Sequence, residues 1–110
     1  MQVSVSKSST PDSKKKHSVE EVHRLAEFFS VLSDVSRVRI VLALSESERC
    51  VSDLAHFMSM SEPAVSHHLR ILRHLRLVRF RKAGKMTFYR LDDDHVSGII
   101  LQATDHIKER

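Results

Sequence analysis

One stretch decides the fold of this chain: SEPAVSHHLRILRHL, residues 61–75. Ser61 is a favoured N-cap residue, Glu62 suits the positive end of a helix dipole, and Pro63 is tolerated in a first turn. A helical wheel separates an apolar side from a polar, cationic side. The apolar side holds Ala64, Val65, Leu69, Ile71, Leu72 and Leu75, and the polar side holds Ser66, His67, Arg70, Arg73 and His74. The stretch therefore predicts an amphipathic helix with a cationic outer face.

A shorter helix is predicted just before this one, with a tight turn at residues 59–61. Its apolar positions are Val51, Leu54, Ala55 and Met58. Two short helices joined by a tight turn, the second with a hydrogen-bonding outer face, match a helix-turn-helix. His68 lies on the apolar side of the second helix, which predicts a packed core histidine. From this segment alone, an ordinary amphipathic surface helix is the alternative.

The outer face of residues 61–75 supplies the first set of predicted DNA contacts. Ser66, His67 and Arg70 lie near the start of the helix and can reach base edges, while later side chains are better placed for phosphates. The predicted contacts on this helix are Ser61, Ser66, His67, Arg70 and Arg73, with His74 also beside the phosphates.

A β-hairpin with a basic tip is predicted directly after the helix. Residues 83–85 indicate a turn between two strands with period-two apolar positions. Such a hairpin would lie as a wing along the phosphate backbone or in the minor groove. The strands are marked by Leu77, Val78 and Phe80 and by Met86, Phe88, Tyr89 and Leu91, and the wing residues predicted to contact DNA are Arg81, Lys82 and Lys85.

Two more helices are predicted upstream. One begins near Ser18, which forms a capping-box pattern with Glu21, and the other follows Asp34. Residues 1–18 are rich in serine, include Lys14-Lys15-Lys16 and have few apolar side chains. They predict a disordered arm whose charge run is solvated, and contact of the arm with DNA phosphates is the alternative. Residues 19–110 are predicted to form a single DNA-binding and dimerisation domain.

Composition restricts the function classes. A chain of 110 residues allows one domain, with a core too small for an enzyme with a deep cleft. A net charge of +4 and eight histidines favour nucleic acid or another polyanion as partner. One cysteine excludes an intrachain disulfide and fits a reducing, cytoplasmic location. No apolar run approaches the ~20 residues of a membrane span, and the N-terminus lacks a signal-peptide core.

The closing segment, about residues 93–108, is predicted to be one helix that carries two histidines. His95 and His106 are eleven positions apart, so they share a face, about 20° apart, but lie about 16 Å apart along the axis. Zinc holds imidazole nitrogens at about 2.0–2.1 Å, so one straight helix cannot bring both rings to one ion.

A second copy of this helix would solve the distance problem. Antiparallel packing about a two-fold axis brings the start of one helix to the end of the other and gives two equivalent sites per dimer. Each site would combine Asp93 and His95 of one protomer with His106 and Glu109 of the other. Two nitrogens and two carboxylate oxygens suit tetrahedral zinc, and cobalt, nickel or cadmium are further candidates.

Of these four residues, Asp93 alone needs a non-helical backbone to join the site. In a regular helix it would point about 160° away from His95, so it can join the site only where the backbone leaves helical geometry. The alternative is that residues 92–94 merely cap the helix and complement its dipole. For the histidine pair, the alternative is a solvated helix face.

The sequence resembles the ArsR/SmtB family of winged-helix, metal-responsive repressors over about residues 20–109. The motifs that carry the resemblance are Ala26-Glu27-Phe28-Phe29, Leu32-Ser33-Asp34, Ser36-Arg37, Cys50-Val51-Ser52-Asp53-Leu54-Ala55, Ser61 to Leu75, Asp93-Asp94-His95 and Asp105-His106-Ile107-Lys108-Glu109. The resemblance implies a mainly α fold with a small β-hairpin, a winged helix-turn-helix homodimer that represses transcription on operator DNA and leaves it when metal binds. It also implies that the C-terminal residues form the family's zinc site.

Many members of that family instead carry a thiolate site near the helix-turn-helix. Here the corresponding segment reads Cys50-Val51-Ser52 and no other cysteine exists, so a soft thiolate site is not expected. His17, His23 and His56 are interpreted as non-ligands. One alternative function is a DNA-binding dimer with structural or no metal that responds to thiol oxidation at Cys50. A small metalloenzyme is not expected, because four protein ligands leave no open position for a substrate.

Overall fold

The computed structural model describes residues 16–109, which form five helices and one three-stranded antiparallel sheet. In chain order the elements are α1 (Val19–Val31), α2 (Val35–Glu46), β1 (Arg49–Cys50), α3 (Val51–Met58), α4 (Glu62–His74), β2 (Val78–Ala83), β3 (Met86–Leu91) and α5 (Asp94–Lys108). This order confirms the predicted winged helix-turn-helix. Most of the predicted N-terminal arm lies outside the described residues.

Side-chain caps set the start of several helices where the sequence predicts them. Ser18 Oγ accepts a hydrogen bond from the Glu21 N–H at 3.0 Å, and the Glu21 carboxylate accepts from the Ser18 N–H at 2.9 Å. Asp34 caps α2 and Ser61 caps α4 in the same way, each accepting from the N–H three residues on. Because the first N–H groups of a helix have no partner within it, these oxygens fix where each helix begins.

The turn between α3 and α4 uses a left-handed residue other than glycine. Ser59 has φ 55° and ψ 45°, and its N–H donates to the His56 carbonyl at 3.2 Å. The N–H of Met60 donates to the Ala55 carbonyl at 3.0 Å. Left-handed caps of this kind satisfy the last carbonyls of a helix. The turn predicted at residues 59–61 is confirmed.

The sheet contains one strand more than the sequence predicts. β2 and β3 form the expected hairpin, with Ala83 opposite Met86 and Gly84 at φ 64° in the two-residue turn. Glycine reaches that backbone conformation without steric cost. β1 then adds a third strand to β3, with Cys50 opposite Phe88. This strand has only two residues, too few for a periodic pattern.

A single core joins α2, α3, α4, the sheet and α5. Its members are Ile40, Val41, Ala43, Leu44, Leu54, Ala55, Met58, Val65, Leu69, Leu72, Leu77, Val78 and Val96. The inner side of α4 is therefore fixed in the core, as its wheel predicts. In contrast, α1 contributes no fully buried residue.

Candidate DNA interface and metal centre

The outer face of α4 is open to a partner along its length. His67, Arg70 and Arg73 are exposed, while Val65 and Leu69 on the inner side are fully buried. Burial of one side holds the helix rigidly and leaves the cationic side free. The orientation predicted from the wheel is therefore the one observed.

Two serines of the predicted DNA interface already have contacts within the chain. Ser61 Oγ accepts from the Ala64 N–H at 3.2 Å as the N-cap of α4. Ser66 is half-buried and lines a cavity of about 260 Å³ together with Cys50 and Lys85. This cavity lies where α4, the start of α3 and the tip of the hairpin meet.

An aromatic contact joins α4 to the hairpin. The Arg73 guanidinium lies 4.8 Å from the centroid of the Phe80 ring, which in turn lies 5.7 Å from that of Tyr89. A cation over an aromatic face is attracted by the ring quadrupole. Arg73 therefore links α4, the predicted recognition helix, to the wing formed by β2 and β3, a contact that the sequence did not predict.

The three predicted wing residues differ in what they contact. Lys82 and Lys85 are exposed. Arg81 instead makes two hydrogen bonds to the Glu48 carboxylate, at 2.9 and 2.8 Å, and lies over the Phe88 ring at 4.9 Å. This guanidinium fixes the wing to the loop before β1, and its predicted DNA contact stays a prediction.

The Arg81 and Glu48 pair shifts the titration of both groups. The hydrogen bond from Arg81 lowers the pKa of the Glu48 carboxyl below its ordinary value. The same hydrogen bond raises the pKa of Arg81. Both shifts favour the charged forms, so the pair is intact at neutral pH.

The start of α5 brings Asp93 and His95 together. Asp93 has φ −157° and ψ −174°, outside helical geometry, and its Oδ1 accepts from the His95 N–H at 2.9 Å. Its Oδ2 lies 3.2 Å from His95 Nδ1. A regular helix would separate the two side chains by about 160°. The extended backbone at the cap removes that separation.

The other two predicted ligands lie at the far end of the same unbroken helix. His106 and Glu109 are exposed, and Glu109 is the C-cap residue with φ −75° and ψ −3°. Within residues 16–109, no three metal-binding side chains of one chain come together as a metal site. A site that uses all four residues therefore needs a second chain.

The only cysteine of the chain lies inside the fold. Cys50 is 3% exposed, and its Sγ is 3.2 Å from Ser52 Oγ. This burial fits the interpretation of Cys50 as a small packed residue.

Apolar side chains remain exposed along α1 and α5. Leu25 is 56% exposed, Phe29 54% and Leu101 62%. Between the two helices lies an open groove of about 410 Å³, lined by Leu25, Phe28 and Ile99 with Glu21 and Arg24 at its edge. None of the described helices is long and apolar enough to span a membrane.

Comparison with known proteins gives consistent matches. Residues 34–79 match the family described as bacterial regulatory protein, arsR family. A transcriptional repressor SmtB homolog of Synechocystis is 48% identical over 92 residues, which cover 84% of this chain and 70% of that protein. A cadmium resistance transcriptional regulatory protein CadC homolog of Staphylococcus aureus is 43% identical over 86 residues, or 77% of this chain and 71% of that protein. The solution structure of apo-NmtR has a TM-score of 0.74 and 33% identity, covering 86% of this chain and 80% of that one.

Proposed function

This chain belongs to the ArsR/SmtB family of transcriptional regulators, and from that membership we propose that it is a zinc-responsive repressor. In this proposal a homodimer binds operator DNA in the cytoplasm and leaves it when zinc binds between the paired α5 helices. The family consists of regulators rather than enzymes, which confirms the prediction that the chain is not an enzyme. The observation that carries the zinc part is the pairing of Asp93 with His95.

The distance between the two donor atoms supports a shared ion. Ligands that hold zinc tetrahedrally at 2.0–2.2 Å are about 3.3–3.5 Å apart. Asp93 Oδ2 and His95 Nδ1 are 3.2 Å apart, so they have nearly that spacing already. The other carboxylate oxygen, Oδ1, stays on the helix N-terminus and holds the side chain in place. Asp93 can therefore cap the helix and bind zinc at the same time.

The remaining ligands in this proposal come from the second chain. An antiparallel register that sets His95 beside the partner's His106 also sets Gly98 opposite the partner's Ala103. Small residues at both positions let two helix backbones approach closely. A Cβ added at Gly98 would meet nothing within 4 Å in its own chain. Room at Gly98 is thus open to a neighbouring helix.

A second copy of the chain is also the occupant we propose for the exposed apolar residues of α1 and α5. The groove between these helices is continuous with the α5 face that carries Ile99, and this face lies between the two histidines. Contiguous exposed apolar surface on a soluble protein marks an interface. One dimer would thus cover this surface and complete the metal sites.

Operator binding would use both recognition helices of the dimer. Two such helices read successive major grooves about 34–36 Å apart. We assign base-edge contacts to Ser66, His67 and Arg70. Phosphate contacts are assigned to Arg73, Lys82 and Lys85. Ser61 and Arg81 are assigned DNA contacts at the edge of this interface. Zinc across the α5 pair would fix the two protomers at an orientation in which the helices miss that spacing. Coupling of this kind is reciprocal, so operator DNA must weaken zinc binding by the same factor.

The experiment that tests this proposal measures zinc affinity with and without operator DNA, at one salt concentration because phosphate contacts make binding salt-dependent. Weaker zinc binding on the operator is the expected result, and equal affinities would contradict the coupling. A series with cobalt, nickel and cadmium then ranks the metals. Because the donor set is nitrogen and oxygen, we expect cadmium, a soft ion that favours several sulfur ligands, to act more weakly than it would at a thiolate site.

Burial of Cys50 argues against the alternative in which oxidation of this thiol controls DNA binding. Redox-sensing cysteines are accessible, whereas Cys50 is 3% exposed and contacts Ser52. A Cys50→Ser variant that keeps both operator binding and zinc release would exclude that alternative.

A further inference from the structure

A polar cluster behind the recognition helix has no part in the function proposed above. The Nε–H of Arg37, in the first turn of α2, donates to His68 Nδ1 at 3.2 Å. The Nη1–H of the same guanidinium donates to the Val31 carbonyl at 3.2 Å. His68 lies in the middle of α4, and Val31 is the last residue of α1. One side chain therefore connects the end of α1 with the recognition helix.

These contacts define the protonation of His68. A guanidinium only donates hydrogen bonds, so His68 Nδ1 must accept and carry no proton. The ring is then neutral, with its proton on Nε2. The Asp34 carboxylate is 4.0 Å from Nδ1, beyond hydrogen-bond reach, and its Oδ2 instead accepts from the Arg37 N–H at 3.1 Å. Asp34 thus caps α2 through the backbone of Arg37 and makes no hydrogen bond to His68.

The same cluster compensates for weak packing of α1. This helix has no fully buried residue and no basic residue in its last turn. The last carbonyls of a helix lack partners within it and favour nearby cations. Arg37 supplies both a hydrogen bond and a positive charge at that end. With its side chain 16% exposed, His68 is nearly enclosed at the other end of the contact.

We propose that Arg37 and His68 are positioning residues that set the angle of the recognition helix relative to α1, and that operator binding requires His68 as a neutral acceptor at Nδ1. Neither residue touches DNA in this proposal. It rests on the proposed function only in assigning DNA binding to α4 and the dimer contact to α1. Zinc has no part in it.

The tautomer of His68 can be measured without DNA. Nitrogen-15 NMR of the metal-free, full-length protein at neutral pH should show His68 with a bare Nδ1 and a protonated Nε2. The exposed His56 should show the ordinary mixture of tautomers in the same spectrum. A proton on Nδ1 of His68 would overturn the proposal, whatever the protein binds.

Matched variants test the positioning role. Asn places its carbonyl oxygen near the position of Nδ1, so His68→Asn should keep operator affinity within about twofold, while His68→Leu should weaken it about tenfold or more. Arg37→Ala should also weaken operator affinity about tenfold or more. Arg39→Ala is the control, because Arg39 is two residues away and outside the cluster, and it should change operator affinity much less. Equal affinity of the His68→Leu variant and the original protein would overturn the proposal, and so would equal weakening by His68→Asn and His68→Leu.

Two further measurements separate the possible failures. Circular dichroism and sedimentation show whether each variant keeps its helices and its oligomeric state, so affinities are compared only among folded proteins of one state. If the original protein itself failed to bind operator DNA, the proposed function would be wrong, and the His68 tautomer would still decide the positioning contact.

Discussion

Asp93 Oδ2 lies 3.2 Å from His95 Nδ1 while Asp93 Oδ1 accepts the His95 N–H at 2.9 Å. A single carboxylate thus begins α5 with one oxygen and meets the imidazole with the other. Helix capping and metal binding were alternatives for this residue on the sequence alone. The geometry makes them compatible, because each needs a different oxygen.

The two roles of Asp93 can be separated by substitution. Asparagine caps helices about as well as aspartate, so Asp93→Asn should keep α5 intact but remove the anionic ligand. We expect zinc affinity to fall at least about tenfold, since even residues that support ligands cost 10–100-fold. Asp93→Ala should in addition lose about 1 kcal/mol of stability through the missing cap. Zinc titration and urea unfolding measure the two effects, and unchanged zinc affinity of Asp93→Asn would leave Asp93 as a cap only.

Mixing two inactive variants should restore zinc sensing. Dimers of His95→Ala chains and dimers of His106→Ala chains each lack a ligand at both sites. In a mixed dimer, one site loses both histidines and the other keeps both, so one site is intact. We expect zinc to release operator DNA from the mixture but from neither variant alone, as measured by fluorescence anisotropy. A response by either single variant would mean that the ligands lie elsewhere, and His56→Ala is the control histidine.

A large side chain at Gly98 should weaken dimerisation and zinc binding and leave the fold of a single chain unchanged. A side chain there meets nothing within 4 Å in the same chain, and Gly98→Ala should raise helix stability by about 1 kcal/mol if position 98 faces water. Gly98→Leu should instead push the paired helices apart, weakening dimerisation and zinc binding without removing a ligand. Sedimentation equilibrium and zinc titration test this. If Gly98→Leu dimerised and bound zinc normally, the close α5 contact would be wrong.

The wing residues should differ in their contribution to DNA binding. Lys85 is exposed, so Lys85→Ala should reduce the slope of log affinity against log salt by about 1.8 for the dimer, because each of its two wings loses one phosphate contact worth about 0.9. Arg81 is already bound to Glu48, so Arg81→Ala should change the slope less while loosening the wing. Operator affinity between 50 and 200 mM salt distinguishes the two. A larger change of slope for Arg81→Ala would show that Arg81 leaves Glu48 for DNA.

Acid should remove the stabilisation that the Glu48 and Arg81 pair provides. Arg81 lowers the pKa of Glu48 in the folded chain, so the contribution is complete above the ordinary glutamate pKa and is lost as pH falls through the lowered value. The free energy of unfolding of the original protein should exceed that of Glu48→Gln at pH 7, and the two should converge in acid. Urea unfolding at several pH values measures this, with Glu27→Gln as a control. A difference that persisted unchanged at low pH would point to a cause other than charge.

Local chemistry made much of the fold predictable. Ser18, Asp34 and Ser61 are each the N-cap of a helix, and each accepts a hydrogen bond from a residue only three positions away. The wheel of α4 likewise depends on neighbours within a few turns. Such features can be read from a short window of sequence.

Contacts between distant residues were not predictable in this way. Arg81 and Glu48 are 33 positions apart, and Arg37 and His68 are 31 apart. β1 was likewise not predictable, because its two residues acquire their strand geometry only by pairing with β3. The direction of Asp93 depends on two backbone angles at a cap, which residue types alone do not set.

The buried thiol gives the protein a built-in chemical reporter. Cys50 pairs with the wing strand opposite Phe88 and borders the cavity shared with Ser66 and Lys85. Because Cys50 is 3% exposed, a thiol-specific reagent should reach its sulfur faster when the wing separates from α3 or α4. Labelling rates would therefore follow the opening of the wing in solution, and their slowing on operator DNA would show how firmly the duplex holds it closed.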